Sequence, residues 1–137
     1  MFSVKQSTEL CLHYVGNQIP AGFPSPAEDY LENMLDLNQT LIKNPSATFF
    51  GRVKGESMRD AGVDNGDLLV IDKSLNYRKG ALAVCFINGE FTLKRVQRHN
   101  GQVWLVPANP AYQPIPVSAE ADFMIWGIVT YIIKKAF

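Results

Sequence analysis

Leu82-Ala83-Val84-Cys85-Phe86-Ile87-Asn88-Gly89-Glu90-Phe91-Thr92-Leu93-Lys94-Arg95-Val96-Gln97 reads as two strands and the turn that joins them. Asn and Gly both tolerate the positive φ that a tight two-residue hairpin requires, so Asn88-Gly89 makes Leu82 to Ile87 and Glu90 to Gln97 antiparallel partners. Along the second strand Thr92, Lys94 and Val96 share one face, and Phe91 and Leu93 the other. Outward from this hairpin, Thr48 to Val53, Asp67 to Ile71, Val103 to Pro107 and Phe123 to Lys134 are further short β-type runs. Asp64-Asn65-Gly66-Asp67 and His99-Asn100-Gly101 mark turns between them. The pattern predicts a mostly β, compact domain.

The N-terminal part differs. Met1 to about Pro24 carries Gly16, Pro20, Gly22 and Pro24 and no sustained period, the pattern of a flexible arm. Ser25-Pro26-Ala27-Glu28 then offers a helix start: a serine cap, proline at the first helical position and glutamate completing a capping box. The expected helix runs from Pro26 to Leu35, with Tyr30, Leu31, Met34 and Leu35 on one stripe. Residues 1–24 are therefore expected as an arm and 25–137 as the β-rich domain.

A chain of 137 residues with 47% hydrophobic content suits one globular domain. Thirteen basic and thirteen acidic residues leave no net charge, so electrostatics give no strong signal for direct nucleic-acid binding. Cys11 and Cys85 are isolated, which fits a reducing cytoplasm rather than a disulfide framework or a zinc site. His13 and His99 have no metal-ligand spacing, and no glycine-rich phosphate loop occurs. No cofactor is implied. Pro20-Ala21-Gly22 looks superficially like a signal-peptide cleavage site, but residues 1–20 lack the apolar block, and Phe123 to Ile133 is too short to span a bilayer as a helix. No membrane association is expected. The same C-terminal run is more apolar than a strand with one wet face requires, which fits burial on both faces or a subunit interface.

Ser57, in Gly55-Glu56-Ser57-Met58, and Lys94 are the residues with chemistry to offer. A serine hydroxyl becomes a nucleophile when a base removes its proton. Lysine, with a pKa near ~10.4 in water, becomes that base when burial disfavours its charged form. Gly55 allows a tight turn before the serine, and backbone N–H groups there suit a developing oxyanion. Glu56 reads as a solvated turn residue. Taken singly, a serine in a glycine turn usually satisfies local hydrogen bonds, and a strand lysine usually projects into water. Ile19-Pro20-Ala21-Gly22-Phe23-Pro24, small and proline-flanked, is a candidate substrate within the same polypeptide.

Taken together, Gly22-Phe23-Pro24-Ser25-Pro26-Ala27, Asp36-Leu37-Asn38-Gln39, Pro45-Ser46-Ala47-Thr48, Gly55-Glu56-Ser57-Met58, Asn65-Gly66-Asp67-Leu68-Leu69 and Gly89-Glu90-Phe91-Thr92-Leu93-Lys94 are much more specific. In order and separation they resemble the LexA/UmuD family (S24-type) of self-cleaving serine peptidases over nearly the whole chain. The resemblance implies that Ser57 is the nucleophile, Lys94 the general base and acid, and Ala21-Gly22 the scissile bond, with Met58 a packing residue. It implies a compact, mostly β fold that forms homodimers, with the C-terminal run at the interface. It further implies self-cleavage promoted by a RecA filament on single-stranded DNA. The shortened product would join a UmuC-type subunit in an error-prone translesion polymerase, with the replicative sliding clamp a further candidate partner.

Three other readings compete. A LexA-like repressor requires a DNA-binding domain before the cleavage site, and the residues preceding Gly22 are too few for a helix-turn-helix module with its own core. A signal peptidase also uses serine and lysine but needs a membrane anchor. A non-catalytic β scaffold that binds polymerase or clamp has no need of an intact serine and lysine.

Overall fold

The computed structural model describes residues 2–3, 9–15, 18–24 and 32–137. In chain order the elements are β1 (Phe2–Ser3), β2 (Cys11–Val15), β3 (Glu32–Asp36), α1 (Leu37–Leu41), β4 (Thr48–Arg52), β5 (Leu68–Asp72), β6 (Ala83–Ile87), β7 (Glu90–His99), β8 (Gln102–Val106), β9 (Ile115–Val117) and β10 (Phe123–Ile133). The mostly β expectation holds, and the opening hairpin is present as β6 and β7. Asn88 and Gly89 at its tip adopt φ of 49° and 85°, both in the left-handed region that the tight turn requires.

Among the described residues, eight strands form one sheet in the order β1-β4-β5-β10-β6-β7-β8-β9. The long C-terminal strand β10 lies between β5 and β6 and is antiparallel to both. Its apolar composition follows from that central place. Met124, Tyr131 and Ile133 nevertheless remain exposed. Strand β7 changes partners along its length: Glu90–Lys94 pair with β6, and Arg95–His99 pair with β8. Lys94 therefore sits where the strand passes from one neighbour to the other.

Strand β6 is buried on both faces, which is why Ala83, Val84 and Cys85 are apolar without alternation. Val84 joins Met58, Val63, Leu69 and Ile71 in one core cluster. Ala83 and Cys85 join Leu105, Val117 and Ile128 in another. The segment before β4 is fastened by Asn44, whose Nδ2 donates to Asp72 Oδ2 at 2.8 Å. Burial raises the Asp72 pKa, but hydrogen bonds from Asn44 and Ser74 outweigh it and leave the carboxyl below its ordinary value.

Strands β2 and β3 form a separate two-stranded sheet and, with α1, belong to a compact unit of their own; the larger sheet forms another. Two expectations change here. Cys11–Val15, read as arm, forms β2. All five of its residues are exposed, so no buried face left a period in the sequence. Glu32–Leu35, read as the end of a helix, belongs to β3, where Leu35 pairs with Leu12 and Met34 with His13. Non-local pairing overrides the local stripe, as tertiary context often does. The rest of the expected helix, residues 26–31, and its cap at position 25 lie outside the described residues. Helix α1 begins only after Asp36, whose Oδ1 accepts from Asn38 N–H at 3.1 Å and caps it.

Candidate active site

Ser57 lies in the irregular segment between β4 and β5. Gly55 opens the turn at φ 97°, and its N–H donates to Asn65 Oδ1 at 2.8 Å, so the Asp64–Asp67 turn anchors it. Met58 follows the serine and points into the core, 3% exposed. That side chain packs, as expected for a residue that holds its neighbour at the surface. From the other side, Ala108 N–H donates to Ser57 O at 2.8 Å, and Asp60 N–H donates to Ala108 O at 2.7 Å. Asn109 Nδ2 donates to Glu56 O at 2.8 Å. Among the described residues, the N–H groups of Ser57 and Met58 are committed to no protein acceptor.

Lys94 comes from β7, opposite the small, buried Ala83. Its Nζ stands 2.9 Å from Ser57 Oγ, 2.9 Å from Thr92 Oγ1 and 3.0 Å from Leu93 O. An uncharged amine has two hydrogens and one lone pair. Once Lys94 is uncharged, those hydrogens can satisfy Thr92 and Leu93, which leaves the lone pair for the serine proton. The lysine is only 7% exposed, and desolvation lowers its pKa from the ordinary 10.5. Nearby Cys85 is a neutral thiol, pushed up to about 11 by burial. Among the described residues no carboxylate forms an ion pair with Lys94, which would favour its charged form.

A groove of about 540 Å³ is lined by Gly51–Gly55 from the end of β4, by Ser57 and Met58, and by Phe91–Lys94 of β7. Both flanking strands offer free backbone edges among the described residues. Gly51 and Arg52 pair with β5 alone, and Glu90–Lys94 with β6 alone. Such edges accept an extended peptide as an added strand.

The Peptidase S24-like family matches residues 13–130. The chain belongs to this family. Protein SamA of Salmonella typhimurium is 46% identical over 116 residues, a match that spans 85% of this chain and 80% of SamA. Protein MucA of Escherichia coli is 41% identical over 117 residues, 83% of this chain and 78% of MucA. The LexA repressor of Acidithiobacillus ferrooxidans is 40% identical over 120 residues, 85% of this chain but 58% of the repressor. These relatives agree with the UmuD-like resemblance read from the sequence segments. S24-like peptidases are self-cleaving serine peptidases.

Within this S24-like chain the structure brings Ser57 and Lys94 into contact. Ala21 and Gly22 are exposed and belong to the unit that contains β2, β3 and α1. Sequence reasoning did not single out Asn65, Ala108 or Asn109 as supports of the serine turn. For Asn109 a signal exists, an asparagine within Pro107-Ala108-Asn109-Pro110, where turn chemistry is dense. Among the described residues no helix is long and apolar enough to cross a membrane, and no group of His, Cys, Asp and Glu could hold a metal ion.

Proposed function

We propose that this chain is a Ser-Lys endopeptidase that cleaves its own Ala21-Gly22 bond. The observation that carries this reading is the 2.9 Å approach of a desolvated, carboxylate-free Lys94 amine to Ser57 Oγ beside an open groove. Neutral Lys94 takes the Ser57 proton as Oγ attacks the Ala21 carbonyl carbon, giving a tetrahedral oxyanion. The C–N bond then breaks, and the Lys94 ammonium returns the proton to the departing Gly22 amine. Water attacks the resulting ester with Lys94 again as base, releasing Ser57 and a carboxylate at Ala21. Tethering raises the local concentration of the bond, so a modest catalyst suffices for one turnover.

The family and the MucA, SamA and LexA likeness support a role in the SOS response to DNA damage, in the cytoplasm. In this reading a RecA filament on single-stranded DNA stimulates cleavage. The shortened form, as a homodimer, serves a UmuC-type error-prone translesion polymerase and contacts the replicative clamp. The exposed Met124, Tyr131 and Ile133 of β10 suit burial between two copies. Domain division follows the same logic, with residues 1–24 as the arm that contains the scissile bond and 25–137 as the β-rich peptidase domain.

Intact mass spectrometry tests the reading. Protein held at alkaline pH, or with activated RecA filament, yields a fragment beginning at Gly22. Ser57→Ala and Lys94→Ala yield none. Cleavage at the wild-type rate in either variant overturns the assignment.

A further inference from the structure

The chemistry above has no use for Asn109, yet this side chain is buried, at 7% exposure, and bonded at both ends of its carboxamide. Its Nδ2 donates to Glu56 O at 2.8 Å across 53 positions of sequence. Its Oδ1 accepts from Ala111 N–H at 3.0 Å. The second bond fixes the orientation of the amide, because turning it over would set the Asn109 oxygen against the Glu56 oxygen and its NH₂ against Ala111 N–H.

The consequence lies on the far side of the peptide that Asn109 grips. The Glu56–Ser57 peptide is trans, so its C=O and N–H point in opposite directions. Holding the Glu56 carbonyl on Asn109 turns the Ser57 N–H away from the 107–111 loop. The next peptide is held the same way: Ala108 N–H grips Ser57 O, which turns the Met58 N–H outward as well. Arg59 N–H also reaches Glu56 O, at 3.2 Å, but that bond is internal to the turn and moves with it.

We propose that Asn109 is the positioning residue of the oxyanion hole: it locks the Glu56–Ser57 peptide with the Ser57 N–H facing the reacting carbonyl. This rests on the Ser-Lys peptidase reading. A flipped peptide presents the Glu56 carbonyl oxygen where the oxyanion must form, replacing a donor with an acceptor at the point of developing charge. Asn109 touches neither substrate nor Lys94, so its loss acts on the transition state and leaves the base as it was.

Two variants and one tetrahedral probe test this. Asn109→Asp keeps the size and the acceptor for Ala111 N–H but removes the donor to Glu56 O; Asn109→Ala removes both. Complete loss of one oxyanion donor costs about 10²–10³ in rate, so self-cleavage is expected to fall roughly 10-fold to 100-fold in each. In Asn109→Ala, which adds no charge near Lys94, the pH midpoint of cleavage stays at the wild-type value. A peptide boronate ending in Ile-Pro-boroAla, whose adduct carries an anionic oxygen, weakens by the same factor, whereas the matching peptide amide binds unchanged. Cleavage within about threefold of wild type in both variants, or a loss in Asn109→Ala accompanied by a shifted pH midpoint, overturns the proposal. Wild-type protein that neither cleaves nor binds the boronate defeats the peptidase reading, and this proposal with it. Should both variants fail to fold, the wild-type boronate adduct decides. An anionic oxygen on Ser57 N–H with Asn109 still bonded to Glu56 O supports the proposal. A Glu56 carbonyl turned into the hole overturns it.

Discussion

Lys94 Nζ stands 2.9 Å from Ser57 Oγ across 37 positions of sequence, held by one hydroxyl and one carbonyl and by no carboxylate among the described residues. Desolvation is the force on its titration, and it acts downward from 10.5. The neutral amine is the base, so cleavage should rise with pH through this lowered pKa and level off before the ordinary lysine value is reached. Initial rates from intact mass across a pH series check this. A rate independent of pH, or one still climbing beyond 10.5, contradicts Lys94 as the base.

Removing the amine should make the protein more stable while silencing it. A depressed lysine pKa means that the folded state binds its proton less tightly than the unfolded state, so wild-type stability is lowest below the folded pKa. It recovers as pH rises from there toward 10.5. Lys94→Met replaces a buried cation with an apolar chain of similar length. Its unfolding temperature should exceed that of the wild type at neutral pH, and the gap should narrow toward 10.5. A variant less stable than wild type at every pH shows that the hydrogen bonds to Thr92 and Leu93 outweigh desolvation.

Gly55 carries the turn before the nucleophile at φ 97°, and an added Cβ would meet no atom within 4 Å. The cost of Gly55→Ala is therefore backbone strain alone, about 1–2 kcal/mol, read as a lower denaturation midpoint. Because the turn leads directly to Ser57, cleavage should slow as well. Asn65→Ala removes the bond to Gly55 N–H without strain. It should slow cleavage at near-native stability, and cleavage at the wild-type rate in both variants would show that the turn needs neither device.

Legibility followed the range of the interactions. The β6–β7 hairpin could be read because period-two alternation and Asn88-Gly89 are local signals. Strand β10 could be read because its length and apolarity survive a central position. Strand β3 could not, since Met34 and Leu35 suit a helical stripe as well as a strand, and its partner β2 lies far back in the chain. Strand β9 is three residues long and contains Pro116, which only its position at the sheet edge tolerates. At the site, Ser57 and Lys94 stood out by family resemblance. Asn65 and Asn109 carry local turn signals only, and their role as supports did not show, because each acts on backbone atoms distant in sequence.

Met58 separates packing from chemistry one residue from the nucleophile. At 3% exposure it fills a cluster with Val63, Leu69, Ile71 and Val84, so truncation leaves a cavity beneath the serine turn. Met58→Ala should cost about 2–5 kcal/mol of stability by denaturant titration, the range for deleting a large buried side chain. Met58→Leu conserves volume and should cost under ~1.5 kcal/mol. If the thioether has no chemical part, the leucine variant cleaves at close to the wild-type rate. The alanine variant loses cleavage in step with the loosening of the turn. A leucine variant that is fully folded and inactive would give the sulfur a role that its burial argues against.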